Sequence, residues 1–350
     1  MSTDGKPFSV SGASPMTPFL SVVICTLNQA DYLRKALASL HEQTLPRAEY
    51  EVIVVDNGST DSTKQTVASF PDFEDLRYLF DPVPGLSRAR NLGWQQARGR
   101  YVAYLDDDAV ASPQWLERIR HRFETLLPRP TGVGGRILPI WEAEKPAWLR
   151  EELEPYLGIV NWPALPMFLD ENRFYLAGSN VCYERSALRE SGGFPTDLGR
   201  KGLLLLSNEE LWMQRFLLGR GEALWYDPEI LVHHHIKAPR LTPAWFFERF
   251  FWQGVSDAIL EDRLARWGVP QKSRPRRIWH DLSGTARDSA RLLAALLAGN
   301  GDVVFRCRIH ERLGRIISGL CLTFPGMEIP ARFFFKRLRD SASLDSPKEP

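Results

Sequence analysis

Residues 20 to 26, Leu-Ser-Val-Val-Ile-Cys-Thr, form a largely apolar run of strand length. Leu33, Ala36, Leu37 and Leu40 then recur at helical spacing before residues 52 to 56 return to a continuous apolar run. Alternation between the two periods predicts a βαβ unit, and with it an α/β fold whose parallel sheet is covered on both faces. The rhythm continues with a short strand over 77 to 80, a helix from about 87 to 98 and a strand over 101 to 106. Ser112 and Pro113 read as an N-cap and first-turn proline, opening a helix with Leu116, Ile119, Phe123 and Leu126 on one face.

After the proline-rich break at 127 to 130 the pattern turns irregular and aromatic, with Trp141, Trp148, Tyr156, Trp162, Phe168, Phe174 and Tyr175 among prolines, as in a loop-rich region. A further helix is expected from Asn208, as cap, through Glu209 and Glu210 to a stop near Gly219. Beyond 242 the chain reads as helices only, crowded with Trp245, Phe246, Phe247, Phe250, Phe251 and Trp252. The divisions are a flexible leader at 1 to 18, an α/β half at 19 to 127, a second half at 128 to 241 and a helical segment at 242 to 350.

Composition narrows the function classes. Forty-four basic against 43 acidic side chains leave a net charge of +1, so no global field favours nucleic acid. Four scattered cysteines without a CxxC pair argue against a zinc site and a disulfide framework, and fit a reducing compartment. Neither a signal peptide nor a spanning apolar run is evident, so the expected location is cytoplasmic.

The chemistry concentrates where strands end. Asp106, Asp107 and Asp108 follow a strand directly, which puts hard oxygen ligands at the carboxyl edge of the sheet, where open α/β folds bind ligands. Two carboxylates two residues apart can hold Mg²⁺ or Mn²⁺ that also bridges diphosphate oxygens; an acidic turn is the alternative. The segment 85 to 93 places Ser87 as a cap and Arg88 and Arg90 in the first turn of a helix aimed at the same edge. Arginines there oppose the helix dipole and suit a diphosphate, or else form a solvated basic face. At the end of the second strand, Asp56 or Asn57 could read a base or ribose edge from an Asn-Gly-Ser turn.

Four segments in this order, Ser21-Val-Val-Ile-Cys-Thr26-Leu-Asn28, Val-Val-Asp56-Asn-Gly-Ser-Thr-Asp61, Gly85-Leu-Ser-Arg-Ala-Arg90-Asn91-Leu-Gly93 and Leu-Asp106-Asp-Asp108, resemble the signature of family-two inverting glycosyltransferases with the GT-A fold. Leu176-Ala-Gly178-Ser-Asn180, Gly192-Gly193-Phe194 and Asn208-Glu209-Glu210 extend the similarity, which spans roughly residues 19 to 240. Cys25 stands where the family usually has proline.

The resemblance implies a nucleotide-sugar donor, with UDP-sugar as first choice, and a carbohydrate or lipid-linked acceptor hydroxyl, in cell-surface polysaccharide or glycoconjugate synthesis. It makes 19 to 127 the donor half and 128 to 241 the acceptor half. Thr26 and Asn28 would line the nucleotide pocket, Asp56 or Asn57 would contact the base, and Arg90, Asn91 and Asp107 would lie near the donor. Asp106 and Asp108 would form the Asp-x-Asp metal motif for Mn²⁺ or Mg²⁺. His234, from the run His233-His234-His235, would join the metal or diphosphate. Of the acidic pair, Glu210 rather than Glu209 would be the general base. Arg240 would close over the phosphates, or serve as an exposed structural arginine.

The C-terminal segment mixes aromatic and basic residues, as in Phe333-Phe-Phe-Lys-Arg-Leu-Arg339. It could lie against a membrane surface or pack onto the catalytic region as a helical cap. A sugar nucleotidyltransferase would need a glycine-rich basic loop after the first strand, which residues 25 to 30 lack; an inactive transferase-like scaffold would not need its carboxylates at 106, 108, 209 and 210.

Overall fold

The computed structural model describes residues 17–162, 164–170, 174–202, 204–269, 272–297 and 303–324. Residues 1 to 16 of the leader at 1 to 18 and the basic run at 333 to 339 lie outside the described residues. The order of elements is β1 (Leu20–Thr26), α1 (Ala30–His41), β2 (Tyr50–Asp56), α2 (Thr63–Ala68), β3 (Leu76–Phe80), α3 (Leu86–Gln96), β4 (Tyr101–Leu105), β5 (Ala109–Ala111) and α4 (Trp115–Thr125). Then come β6 (Gly132–Trp141), β7 (Met167–Phe168), β8 (Asn180–Glu184), α5 (Arg185–Glu190), α6 (Glu209–Leu218) and β9 (Leu224–Ile236). Three long helices follow, α7 (Pro243–Arg266), α8 (Arg274–Leu297) and α9 (Val303–Thr323).

One mixed sheet runs β3-β2-β1-β4-β8-β6-β9-β5, with β7 paired to β9. Parallel pairing runs from β3 to β4 and recurs between β6 and β9. β8 enters antiparallel to both β4 and β6, and β5 is antiparallel to β9, which corrects the wholly parallel reading.

Alternation along the strands divides the core. Val22, Ile24, Val52 and Val54 face Leu33, Leu37 and Leu40 of α1, whereas Val23, Ile53 and Val55 belong to the cluster holding Ala89 and Trp94 of α3 and Met213 and Phe216 of α6. Each central strand is therefore buried on both sides, which is why its sequence is a continuous apolar run. A third cluster seats α7 on the rest: Phe246, Phe247 and Phe250 pack with Leu153 and Leu157 of the 3₁₀ turn Glu151–Leu157 and with Ile236 at the end of β9.

The irregular region beyond 130 conceals a ten-residue strand. β6 carries Gly132, Gly134, Gly135 and Pro139, residues that read as loop. The glycines are there because neighbouring backbone is close: a Cβ at Gly134 would stand 2.5 Å from the Asn180 carbonyl oxygen, and one at Gly135 would overlap the carbonyl of Ile230. Two expected caps are also corrected. α3 starts after Gly85, so Ser87 lies inside the helix and donates its hydroxyl to Leu198 O at 2.8 Å. α4 starts after Gln114, and Ser112 instead accepts from the Trp115 amide through its carbonyl. Among the described residues no helix is long and apolar enough to cross a membrane.

Candidate active site

The carboxyl ends of β1, β2 and β4 lie side by side, with Thr26 opposite Asp56 and Val23 opposite Tyr104 in register. Loops leaving this edge carry most of the predicted residues. Asp56 accepts from the Ser59 amide at 2.8 Å and the Tyr78 hydroxyl at 2.6 Å. Asn57 donates to Val83 O at 2.7 Å and accepts from the Gly85 amide at 2.5 Å, so its side chain ties the β2 turn to the start of α3. Asn28, in left-handed backbone at φ 54°, accepts from the Thr60 amide at 2.8 Å and braces the same turn.

α3 separates its two expected donor residues. Arg90 is buried, with Nη1 donating to Glu209 Oε1 at 2.5 Å and Nη2 to Asp106 Oδ1 at 3.4 Å. Asn91 points away toward the loop before α6, donating to Phe194 O and accepting from the Phe194 amide, each at 2.8 Å. Arg88, the other first-turn arginine, reaches Asp81 at 2.6 Å. Burial opposes the charge on Arg90, yet Glu209 and Asp106 hold its proton more tightly than in free arginine.

Asp108 sits where β5 pairs with β9. Its Oδ1 is 3.1 Å from His234 Nε2, and its Oδ2 is 3.2 Å from Arg240 Nη2 and 3.6 Å from Lys237 Nζ. Burial alone would raise the Asp108 carboxyl, but His234, Arg240 and Lys237 together hold it well below the usual carboxylate range. Asp107 behaves oppositely, pushed up to about 8 by burial and the neighbouring Asp108 charge. Of the three histidines, His234 faces Asp108, His235 lies 3.0 Å from Glu142 Oε1, and His233 stands opposite Val110 on the alternate face of β9.

α6 brings the acidic pair to the same place. Glu209 is committed to Arg90, while burial, followed by the adjacent Glu209 charge, pushes Glu210 up to about 8. Glu210 Oε2 has no hydrogen-bond partner among the described residues. Asn208, at the N-cap position with φ 74°, caps nothing with its side chain, which donates to Asp257 Oδ1 at 2.8 Å.

Arg90, Asp106, Asp108, Glu209, Glu210, His234 and Arg240 line one cavity of about 460 Å³; Thr26, Asn28, Asp56, Asn57, Asn91 and Asp107 do not. The cavity also takes Arg200 and Arg249, which sequence reasoning missed. For Arg249 a signal existed, a lone arginine amid six aromatic residues between 245 and 252. Arg200 stands in an irregular loop and offered none.

Asp108 and His234, 3.1 Å apart, are a carboxylate oxygen and an imidazole nitrogen, donor types that a cation such as Mn²⁺ accepts. Among the described residues no three His, Cys, Asp or Glu side chains gather to hold a metal by themselves. Such an ion would complete its shell from diphosphate and water, as Mg²⁺ and Mn²⁺ commonly do.

The chain is 31% identical over 246 residues to the glucosyl-dolichyl phosphate glucuronosyltransferase of Haloferax volcanii, covering 69% of this chain and 77% of that protein. It is 27% identical over 251 residues to the succinoglycan biosynthesis protein ExoM of Rhizobium meliloti, covering 70% of this chain and 75% of that one. The fold is that of the solved mannosyltransferase PcManGT from Pyrobaculum calidifontis, with TM-score 0.52 and 19% identity over 97% of this chain and 84% of that one. The sequence profile of glycosyl transferase family 2 matches residues 21–192, across β1, β2, α3, β4 and β8. Together with the Haloferax relative, this shows that the chain belongs to glycosyl transferase family 2, a family of GT-A glycosyltransferases.

Proposed function

We propose that the chain moves a sugar from a nucleoside diphosphate, UDP-sugar as first choice, onto an acceptor hydroxyl with inversion, in polysaccharide or glycoconjugate synthesis. The observation that carries this reading is one cavity holding both a carboxyl of raised proton affinity that forms no ion pair among the described residues, Glu210, and the basic cluster around Asp108. Glu210 takes the acceptor O–H proton as that oxygen bonds the anomeric carbon from the face opposite the departing phosphate. The nucleoside diphosphate leaves with the electron pair of the broken C–O bond, its charge met by Arg240 and Lys237.

Asp108 and His234 would hold Mn²⁺ or Mg²⁺, which when bound would neutralise charge on the diphosphate, while Asp106 lines the same cavity paired with Arg90. The GDP-Man and Mn²⁺ of the solved mannosyltransferase complex support a metal-bound nucleotide sugar. Arg90 positions Asp106 and Glu209 rather than touching the reacting atoms. Residues 19 to 127 supply the donor half, with Thr26, Asn28, Asp56, Asn57 and Asp107 building its rim, and 128 to 241 supply the acceptor half.

A carbohydrate or lipid-linked acceptor suits the cavity, and the dolichyl phosphate in the Haloferax relative's name supports the latter. Peripheral membrane contact is assigned to α8, where Trp279, Leu282 and Leu293 are exposed at spacings of one helical face, beside exposed Arg276, Arg287 and Arg291. Nucleoside diphosphate release from UDP-sugars in Mn²⁺ tests the function. Release by the unmodified chain and its loss in Glu210→Gln is the expected result; equal release by both would refute the assignment of the base.

A further inference from the structure

Two cations in the cavity have no task in the reaction as described. Arg249 of α7 is 9% exposed, and its Nε and Nη1 are buried without a hydrogen-bond partner among the described residues. Its guanidinium lies 5.8 Å from the Tyr156 ring, which is itself stacked on Phe250 at 3.9 Å, so packing holds the group in place. Arg200 lines the same cavity and forms no ion pair among the described residues. A buried guanidinium left unpaired is costly, and such a group persists where a ligand supplies the missing acceptor.

The carboxylates nearby are already engaged or do not pair. Asp257 is held by Arg315 at 2.5 Å and by Asn208 at 2.8 Å. Asp106 is held by Arg90, and Asp108 by Arg240 and His234. Glu210 faces Arg249 electrostatically, but no hydrogen bond joins them. Two guanidinium groups opening on one space match a group with more than one negative charge and several acceptor oxygens. The adjacent wall, Pro155, Tyr156, Leu157, Tyr175 and Leu206, is apolar or aromatic.

We propose that Arg249 and Arg200 bind a phosphate ester carried by the acceptor in the shared cavity. This rests on the glycosyl-transfer reading and narrows its acceptor to phosphate-bearing molecules. The phosphate fixes the acceptor so that its hydroxyl reaches Glu210, while the apolar wall takes whatever the phosphate is attached to.

The test uses the full chain saturated with UDP and Mn²⁺, which fills the donor side. Citronellyl phosphate and glucose 1-phosphate are titrated calorimetrically against their uncharged counterparts, citronellol and glucose. At least one ester should bind about tenfold or more tightly than its counterpart, and Arg249→Gln should remove about tenfold of that affinity. UDP affinity, measured in the same variant, should stay within about twofold. Preference for citronellyl phosphate marks a lipid-linked acceptor and preference for glucose 1-phosphate a soluble sugar phosphate; both support the proposal. If Arg249→Gln does not melt cooperatively, Arg200→Gln and Arg249→Lys replace it, with the glutamine variant expected to weaken the ester and the lysine variant to retain part of its affinity. UDP binding with no ester preference overturns the inference and leaves glycosyl transfer standing. A loss of UDP affinity in Arg249→Gln equal to the loss of ester affinity also overturns it, because the cations would then serve the donor. Failure of the unmodified chain to bind UDP would overturn both.

Discussion

Arg90 Nη1 donates to Glu209 Oε1 at 2.5 Å, joining α3 to the first turn of α6 across 119 residues of sequence. The pair is buried on both sides, with each side chain 4% exposed. By engaging Glu209, Arg90 leaves its neighbour Glu210 facing the cavity without an ion-pair partner among the described residues. The two carboxylates are adjacent in sequence but differ in what they can do.

That difference predicts two phenotypes. Glu210→Gln should lower turnover by roughly 10²- to 10⁴-fold with nucleotide affinity retained, the usual range for a lost general base. Glu209→Gln should act mainly on stability, because it strips a buried guanidinium of its partner. Steady-state kinetics and thermal melts of both variants separate these effects, and a catalytic loss confined to Glu209→Gln would reverse the assignment.

Arg90→Met should be among the most damaging substitutions away from the hydrophobic core. Removing one partner of a buried ion pair typically costs about 3–5 kcal/mol. Here it would also leave Glu209 and Asp106 facing each other without the intervening charge. Denaturant unfolding should show that loss, and the double variant Arg90→Met with Glu209→Gln should recover part of it. Lack of any recovery would mean that Arg90 acts through packing alone.

The raised proton affinity of Glu210 has a defined sign. The folded chain holds this proton up to about pH 8, whereas a free glutamate carboxyl loses it near 4.5. Between those values the folded state binds more protons than the unfolded one, so this group's contribution to stability is complete at low pH and is lost as pH rises through about 8. Activity should move the other way, rising toward pH 8 as the base deprotonates. In Glu210→Gln the stability decline over that window should flatten, which melts at pH 5, 7 and 9 would detect.

Much of this was legible from local pattern, and the omissions have physical causes. β1, β2 and β4 are buried on both faces, so burial itself wrote a continuous apolar run that could be read directly. β6 was hidden because close backbone packing at Gly134 and Gly135 demanded residues that usually mark loops. Asn91 was assigned to the donor beside Arg90, yet consecutive helical residues point about 100° apart, and only Arg90 faces the cavity. The convergence of Arg200 and Arg249 on that cavity arises from segments that only the tertiary fold brings together.

If α8 meets a membrane, its exposed apolar face should matter more than its charge alone. The triple change of Trp279, Leu282 and Leu293 to Ser should abolish cosedimentation with vesicles containing anionic lipid. Thermal stability should change little, since these side chains are 72%, 47% and 59% exposed. Unaltered cosedimentation would assign vesicle binding to other residues.

The most direct test of the donor site is calorimetric titration of UDP into the unmodified chain and Asp108→Asn, each in Mn²⁺ and in EDTA. The account predicts tight binding only for the unmodified chain with Mn²⁺, and a loss of about tenfold or more in the other three conditions. Equal UDP affinity in all four would contradict the claim that a divalent cation at Asp108 and His234 holds the donor diphosphate.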